Sequence, residues 1–450
     1  MNRFTQRIIT PAIGGAVLLG SLNLSRAADP SYDELRKQVQ QLQARLDQIE
    51  AQQAQPTAAA VDATVERVLR DADQRSKLLA VEGGFTAGYD KGFFIKSADD
   101  NYVLRPGLLF QFRGIANTRH DVDDTQSGFE VRRLRPRLDG NFITPDLTYS
   151  FVFDVNRNGG STSLLDAFVQ YRFAPQWAIK AGQFRESWFH EGDVPDSAQL
   201  TVERSMVEPL LAGSQVDRVQ GVSLIYGGTK DDALRVEVTL HDGANSKNTD
   251  FRDVQPGATA SDPPVYSANF GTGARVEYKL FGDWANYKDF TAKGDKQDLL
   301  VFGGGYDWTQ NGDTNVIRST VDAQYENVNG WNVYGALNGV CTENDSNHRW
   351  DWGGLVQAGY LIRPAWEIFG RYDVVSLDSD YVSGESTFNE LAFGVNYYLG
   401  ENGSALHRAK FTLDLMYLPQ GAPSNITGTD VLANSGDAEF VFRGQFQLFL

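Results

Sequence analysis

Arg133, Arg135 and Arg137 stand two residues apart, and Asp139 and Asn141 continue the same parity. Leu134, Pro136, Leu138 and Phe142 take the other parity. Successive side chains of a strand point to opposite faces, so the three guanidiniums share one face and climb it in steps of about 6.6 Å. The planar, permanently charged guanidinium suits two-point contact with an oxyanion. A ladder of such groups can pass an anion along by replacing its hydration shell, with no reaction involved. Gln111 and Arg113 share the polar parity of the preceding segment, and Arg172 and Lys180 do so further on. On a strand crossing lipid, an Arg or Lys turned to the bilayer midplane costs roughly 2–4 kcal/mol, so these cations are expected to face a lumen. The competing reading for any one of them is a salt bridge across that lumen, to a residue such as Asp154, Asp166 or Glu203. For the row of three, the stacked cations exceed the obvious local partners, which favours the channel reading.

Other chemistry finds little support. There is no HExxH, no GKS or GKT loop and no CxxC, and the five His are dispersed. His241 falls on a lumen parity and reads as structural, while the lone Cys341 falls in an expected outer loop. One cysteine excludes a disulfide scaffold and a multi-cysteine metal site. No cofactor is expected, and the chain is read as a channel and not as an enzyme.

The arginines need strands to carry them, and from Gly83 onward the apolar period is two. Leu234, Val236, Val238 and Leu240 alternate with Arg235, Glu237, Thr239 and His241. Ala409, Phe411, Leu413, Leu415 and Tyr417 alternate with Lys410, Thr412 and Asp414. Sixteen such segments are expected, near 106–117, 129–142, 147–156, 164–173, 177–185, 218–226, 233–242 and 273–281. The rest fall near 299–308, 317–326, 330–339, 352–362, 366–375, 389–399, 408–418 and 438–450. Their length of about ten residues matches strands that cross a bilayer, and the number is even, as a single-chain bacterial barrel requires.

Tight connections such as Thr144-Pro145-Asp146 and Arg363-Pro364-Ala365 alternate with longer ones at 118–128, 157–163, 186–217, 243–269, 309–316, 340–351, 376–388 and 419–437. That asymmetry separates periplasmic turns from extracellular loops. The connection 282–298 breaks it, being long where a short turn is due. Trp177, Trp331 and Trp366 follow expected periplasmic turns, and Tyr171 and Phe173 precede one, where an aromatic girdle would sit. The final segment carries Phe440, Phe442, Phe446, Leu448 and Leu450 on one parity.

Composition agrees once both faces of a barrel are averaged. The 450 residues carry 41 Lys+Arg and 58 Asp+Glu, a net charge of -17, with 12% aromatics and 44 Gly. So acidic a chain is not a nucleic-acid binder, for which a basic footprint is needed. A mean hydropathy of -0.37 excludes several helical membrane spans but not a barrel, which faces lipid with every second residue. The acid is uneven. Residues 105–235 hold 15 Lys+Arg against 17 Asp+Glu, and residues 236–450 hold 14 against 28.

The N-terminus reads as an address and a stalk. Arg3 and Arg7, an apolar run from Ile8 to Leu24, and Ser25-Arg26-Ala27 make a secretory signal over 1–27. Its removal takes three positive charges and leaves the mature chain near -20. Tyr32, Leu35, Val39, Leu42, Leu46 and Ile49 follow with heptad spacing. Fewer than three heptads make a marginal isolated helix, so an α-helical coiled coil between copies is expected over 28–80, with a Pro-interrupted linker and a weaker helical stretch at Val61–Leu79. Leu35, Val39, Leu42, Leu46 and Ile49 are its candidate oligomerisation residues.

GYDKGFFIKSADDNYVLRPGLLFQFRG (88–114), EVRRLRPRLDGNF (130–142), FVQYRFAPQWAIKAGQFRES (168–187) and LTVERSMVEPL (200–210) resemble the phosphate-selective porin O and P family. WEIFGRYD (366–373) and GVNYYL (394–399) are more general porin-like sequences. The resemblance covers most of 83–450. It implies a 16-stranded antiparallel transmembrane β-barrel in the bacterial outer membrane, usually a homotrimer, that conducts anions. It also places selectivity residues in and beside the long loop 186–217, where Arg185, Arg204 and Arg218 fall. The expected solutes are small anions such as phosphate or polyphosphate, and the expected surroundings are outer-membrane lipid and lipopolysaccharide. The stalk is an addition to the family's best-known members. A second reading is a general, weakly selective porin that also tethers the outer membrane to peptidoglycan through its periplasmic coiled coil.

Overall fold

The computed structural model describes residues 32–52, 84–90, 92–119, 125–212, 217–249, 270–294, 296–382, 384–423 and 436–450. The expected signal segment, the 51–63 linker beyond Gln52 and the Val61–Leu79 stretch lie outside these residues. The chain divides into two units, Met1–Leu78 and Leu79–Leu450. In the first, among the described residues, a helix spans Tyr32–Gln52. Val39, Leu42 and Leu46 are exposed on it, at 49%, 61% and 56%. The side chains of Leu35 and Ile49 lie outside the described residues. The helix expected within 28–80 is thus present over Tyr32–Gln52.

The second unit is a closed antiparallel barrel of sixteen strands with a small hairpin on one edge. The hairpin is β1 (Phe85–Tyr89) and β2 (Phe93–Ser97). The barrel runs β3 (Val103–Arg119), β4 (Thr125–Phe142), β5 (Thr144–Val155), β6 (Thr162–Ala174), β7 (Trp177–Arg185), β8 (Arg218–Gly227), β9 (Leu234–His241) and β10 (Phe270–Phe281). It continues β11 (Leu299–Asn311), β12 (Thr314–Glu326), β13 (Trp331–Asn344), β14 (Asn347–Arg363), β15 (Trp366–Ser376), β16 (Thr387–Tyr398), β17 (Ala409–Leu418) and β18 (Glu439–Phe449). Each strand pairs with the next, and β18 returns to β3 from Glu439↔Arg119 to Phe449↔Leu109. Closure leaves no unpaired edge for lipid to meet. Below the end of β18, β2 takes the same edge of β3 through Ile95↔Leu104 and Lys96↔Val103. Every one of the sixteen expected segments coincides with a barrel strand.

Burial is inverted relative to a water-soluble sandwich. Leu413 and Leu415 are exposed while Asp414 between them is buried, and Val321 is exposed between buried Thr320 and Asp322. Apolar side chains cover the outside, and polar ones fill the inside. The aromatic girdle is present as cross-strand pairs near the turns: Trp177 with Tyr226, Trp331 with Tyr360 and Trp366 with Tyr397, at ring separations of 4.8, 4.4 and 4.6 Å.

Two expected loops are strands instead. At 309–316 the ladder runs on to Asn311↔Thr314 around Gly312 and Asp313, and at 340–351 it runs to Asn344↔Asn347. Cys341 therefore lies on β13 and not in a loop. Beyond the membrane both faces of a strand are wet, so the alternation that marks it disappears although its backbone pairing does not.

Candidate functional site: a loop-filled lumen

β7 ends at Arg185, and the segment after it, here called L3 (186–217, described except 213–216), turns into the barrel. It holds short helices at His190–Asp193 and Val207–Leu211 and a 3-10 turn at Asp196–Ala198. Its apolar side chains, among them Trp188, Phe189, Leu200, Met206 and Leu211, join Tyr334, Leu355, Phe369, Met416 and Val441 from the far wall in one buried cluster. Glycines make room for it: a Cβ on Gly305 of β11 would lie 1.8 Å from the Trp188 carbonyl oxygen.

Polar contacts fix L3 to the same wall. Asp414 accepts the Val202 N–H at 2.9 Å and both Nε and Nη2 of Arg443 at 2.8 Å. Arg371 donates to Thr201 Oγ1 at 2.7 Å and to the carbonyls of Glu203 and Arg204 at 3.0 and 3.2 Å. Lys410 donates to the Gln199 carbonyl at 2.6 Å, and Asn396 donates to that of Leu200 at 3.0 Å. Asp373 accepts the Met206 N–H at 3.2 Å.

The long connection 282–298 explains its own irregularity by folding inward to meet L3. Tyr287 stacks on His190 with ring centres 3.9 Å apart and planes 5° from parallel. Arg275 ties the two segments, donating to the Tyr287 hydroxyl and the Trp188 carbonyl, and it grips Asp322 with two bonds of 2.9 Å. His190 lies 2.7 Å from Gln324. Burial, with the nearby Arg275 charge, pushes its imidazole down to about 4.

Against the near wall L3 presents carboxylates. Glu203 receives Arg113 Nη1 and Arg132 Nε at 2.5 Å and Arg133 Nη2 at 2.7 Å. Asp196 pairs with Arg135 and Arg204 and lies 3.3 Å from Arg133. Burial alone would raise both acids. The surrounding arginines instead hold both well below the usual carboxylate range. Glu191 is spent inside the loop, accepting the Ser205 N–H and Oγ–H at 2.9 and 2.7 Å.

The expected arginine row faces inward but is not a free ladder. Arg133 is buried against Glu203, Arg135 reaches Asp154 at 2.6 Å as well as Asp196, and Arg137 closes on Asp139 of its own strand. Arg113 is likewise buried between Glu130 and Glu203. Arg172 donates to the Pro175 carbonyl at 3.1 Å, and Lys180 pairs with Glu237 at 2.6 Å. Arg204 belongs to L3 itself, bonding the Val194 carbonyl at 2.6 Å, and Arg218 pairs with Asp166 and Asp217. Arg185 is held loosely, 3.3 Å from Glu208 and 3.6 Å from Asp217. Glu203, Asp154 and Asp166 are thus partners that the sequence suggests, while Asp196 escapes a sequence reading because it arrives from 61 residues away.

Arg132 was missed for a different reason. Strict alternation sends it to the lipid, but Gln111 pairs with Arg133 and Phe112 with Val131, so a bulge turns Arg132 inward to Glu203. A run of two arginines in an otherwise alternating strand was its only signal. The row of glycines Gly303-Gly304-Gly305 was the comparable signal for the seat of L3.

Open space remains on the near wall where L3 and β4–β9 separate. One cavity of about 250 Å³ is lined by Arg135, Arg137, Arg185, Arg204 and Arg218, with Asp166, Asp193 and Asp196. A second, of about 390 Å³, shares Arg185 and Asp193 and adds Arg172, Lys180, Arg235, Lys288, Glu237 and Glu277. Burial pushes the shared Asp193 up to about 6, although Arg275 and the Ser187 hydroxyl oppose it.

One His and two carboxylates also converge at the start of L3. His241 Nε2 lies 3.1 Å from Asp307 and 3.5 Å from Glu186, all buried. The Gly243 N–H donates to His241 Nδ1 at 3.0 Å, so Nε2 carries the proton of the neutral ring. Burial and Asp307 raise the Glu186 carboxyl well above its usual range. Nε2 has no lone pair to offer a metal in that tautomer.

Comparison with known proteins places this architecture. In shape the chain is similar to an anion-selective porin from Comamonas acidovorans, with a TM-score of 0.54, 13% identity, and coverage of 77% of this chain and 99% of that one. It is also similar to Salmonella typhi OmpF in complex with daunomycin (0.50, 14%, 81% and 100%) and to Pseudomonas putida OprB at high pH (0.50, 10%, 77% and 94%). At these identities the likeness is one of fold. No curated protein matches the sequence. The profile of the family described as phosphate-selective porin O and P matches residues 107–339, just over half the chain and all of β4 to β12 with L3. With a closed 16-stranded barrel around an inward-folded loop, the chain is an outer-membrane porin and belongs to the phosphate-selective porin O and P family.

Proposed function

We propose that this porin is a passive diffusion channel preferring small anions, phosphate among them. Solute passes between L3 and the β4–β9 wall. The observation that carries the reading is the charge lining the two cavities: nine cationic side chains against five carboxylates. The whole chain is acidic, but an ion meets the lining, and buried pairs elsewhere are screened from it by L3. The anion selectivity of the Comamonas porin agrees with this reading. Reversal potentials in planar bilayers under a KCl gradient test it: an anion-side potential is expected, and a cation-side potential rejects the proposal.

The exposed seam of Val39, Leu42 and Leu46 supports association between copies through the Tyr32–Gln52 helix. A homotrimer satisfies both this seam and the family's usual state. Leu42→Glu is expected to lower the trimer fraction in sedimentation, and an unchanged fraction removes the helix from assembly.

A further inference from the structure

The narrow cavity has a second face that an inorganic ion does not need. Beside its guanidiniums it is lined by Leu109, Val152, Leu165, Phe168, Pro195 and Phe449. Leu109 pairs with Arg135, Val152 with Arg137 and Phe168 with Ser150, so these side chains share the inward face with the charges. A bulge between Val152 and Phe153 leaves Leu165 opposite no residue and buried, at 7% exposure. Leu109, Val152 and Leu165 belong to neither apolar cluster of the barrel. They stand apart from the inward apolar positions of β13–β18, which seat L3.

We propose, on the basis of the anion-channel reading above, that this cavity is a binding site for organic anions: a carboxylate on an alkyl or single-ring frame. The carboxylate is taken by Arg185, whose own carboxylate contacts of 3.3 and 3.6 Å leave it the least committed guanidinium of the group. Arg218 stands beside it, fixed by Asp166 at 3.0 Å and Asp217 at 2.7 Å, and needs no reorganisation. The body of the solute lies along Leu109, Val152 and Leu165. A volume of about 250 Å³ suits a small organic acid, being just below the roughly 300–1,000 Å³ of sites for larger ligands. Apolar contact discriminates by about tenfold or more per matched group, and inorganic phosphate has nothing to place there.

The test uses the full-length channel in planar bilayers, with benzoate and inorganic phosphate as blockers of the KCl current. Benzoate is expected to half-block at a concentration about tenfold below phosphate. Val152→Ser/Leu165→Ser is expected to bring the two half-blocking concentrations together, and a second variant, Leu109→Gln, to move them the same way. Phosphate blocking as well as benzoate in the wild type overturns the inference, as does a ratio unmoved in both variants that conduct. The KCl reversal potential in the same membranes separates the failures. A cation preference rejects the channel reading itself, while an anion preference with equal blocking rejects only the organic-anion site.

Discussion

Arg443 on β18 and Arg185 on β7 are both inward arginines, and they do opposite work. Arg443 has no exposed surface and gives two 2.8 Å bonds to an Asp414 that also holds L3. Arg185 keeps 18% of its side chain exposed and has no carboxylate within 3 Å. The two walls from which they come share one alternation of residue types. What separates them is L3, which converts the inward face of β13–β18 into a protein interior and leaves β4–β9 as a water-facing lining. A pore-lining residue is therefore defined by the loop as much as by strand parity.

Perturbing the packed wall should cost stability most. Asp414→Ala leaves the Arg443 guanidinium without its two carboxylate bonds and L3 without an anchor. A loss of about 3–5 kcal/mol is expected in detergent unfolding, typical of breaking a buried pair. Single-channel conductance should rise as L3 loosens. A barrel of unchanged stability would mean that L3 is not seated through this wall.

Acid should loosen L3 where His190 meets Tyr287 and Gln324. His190 is held neutral by burial, at about 4 against an ordinary 6.5. The unfolded chain takes up its proton first, so this contribution to stability is complete above about pH 6.5 and is lost as pH falls from there toward 4. The loss is of the order of 3 kcal/mol when protonation is complete. His190→Phe should flatten that part of the stability–pH curve, and an unaltered curve would assign the acid sensitivity elsewhere. Gly305→Ala is expected to cost roughly 1–3 kcal/mol by pressing a methyl group onto the Trp188 carbonyl.

The open wall should show the reverse pattern, with small stability changes and large changes in selectivity. Arg185→Gln is expected to cost under about 1 kcal/mol, since its ion pairs are long and partly hydrated. It should nevertheless reduce anion preference. Asp193 adds a pH term because it lines both cavities and gains its charge near pH 6. Anion preference should therefore be greater at pH 5 than at pH 7.5, and Asp193→Asn should remove the difference.

Legibility follows the same division. The sixteen strands could be read because lipid demands an apolar residue at every second position, as in Ala409 to Tyr417. The two-residue turns at Gly312 and Asp345 could not, because above the membrane that demand lapses. The inward direction of Arg133, Arg135 and Arg137 was legible, and Asp154 and Glu203 could be named as candidate partners; the arrival of Asp196 beside them was not legible, since contacts through a folded loop leave no periodic trace. The long 282–298 connection looked like an error in the alternation. It is instead where Tyr287 reaches His190.

The most direct test of the account is the KCl reversal potential of an Arg135→Gln/Arg185→Gln/Arg218→Gln variant beside the wild type. The wild type should prefer anions, and the variant, with Asp154 and Asp166 relieved of their partners and Asp217 left with Lys247 alone, should cross to cation preference. An anion preference that survives all three substitutions would contradict conduction along the β4–β9 wall.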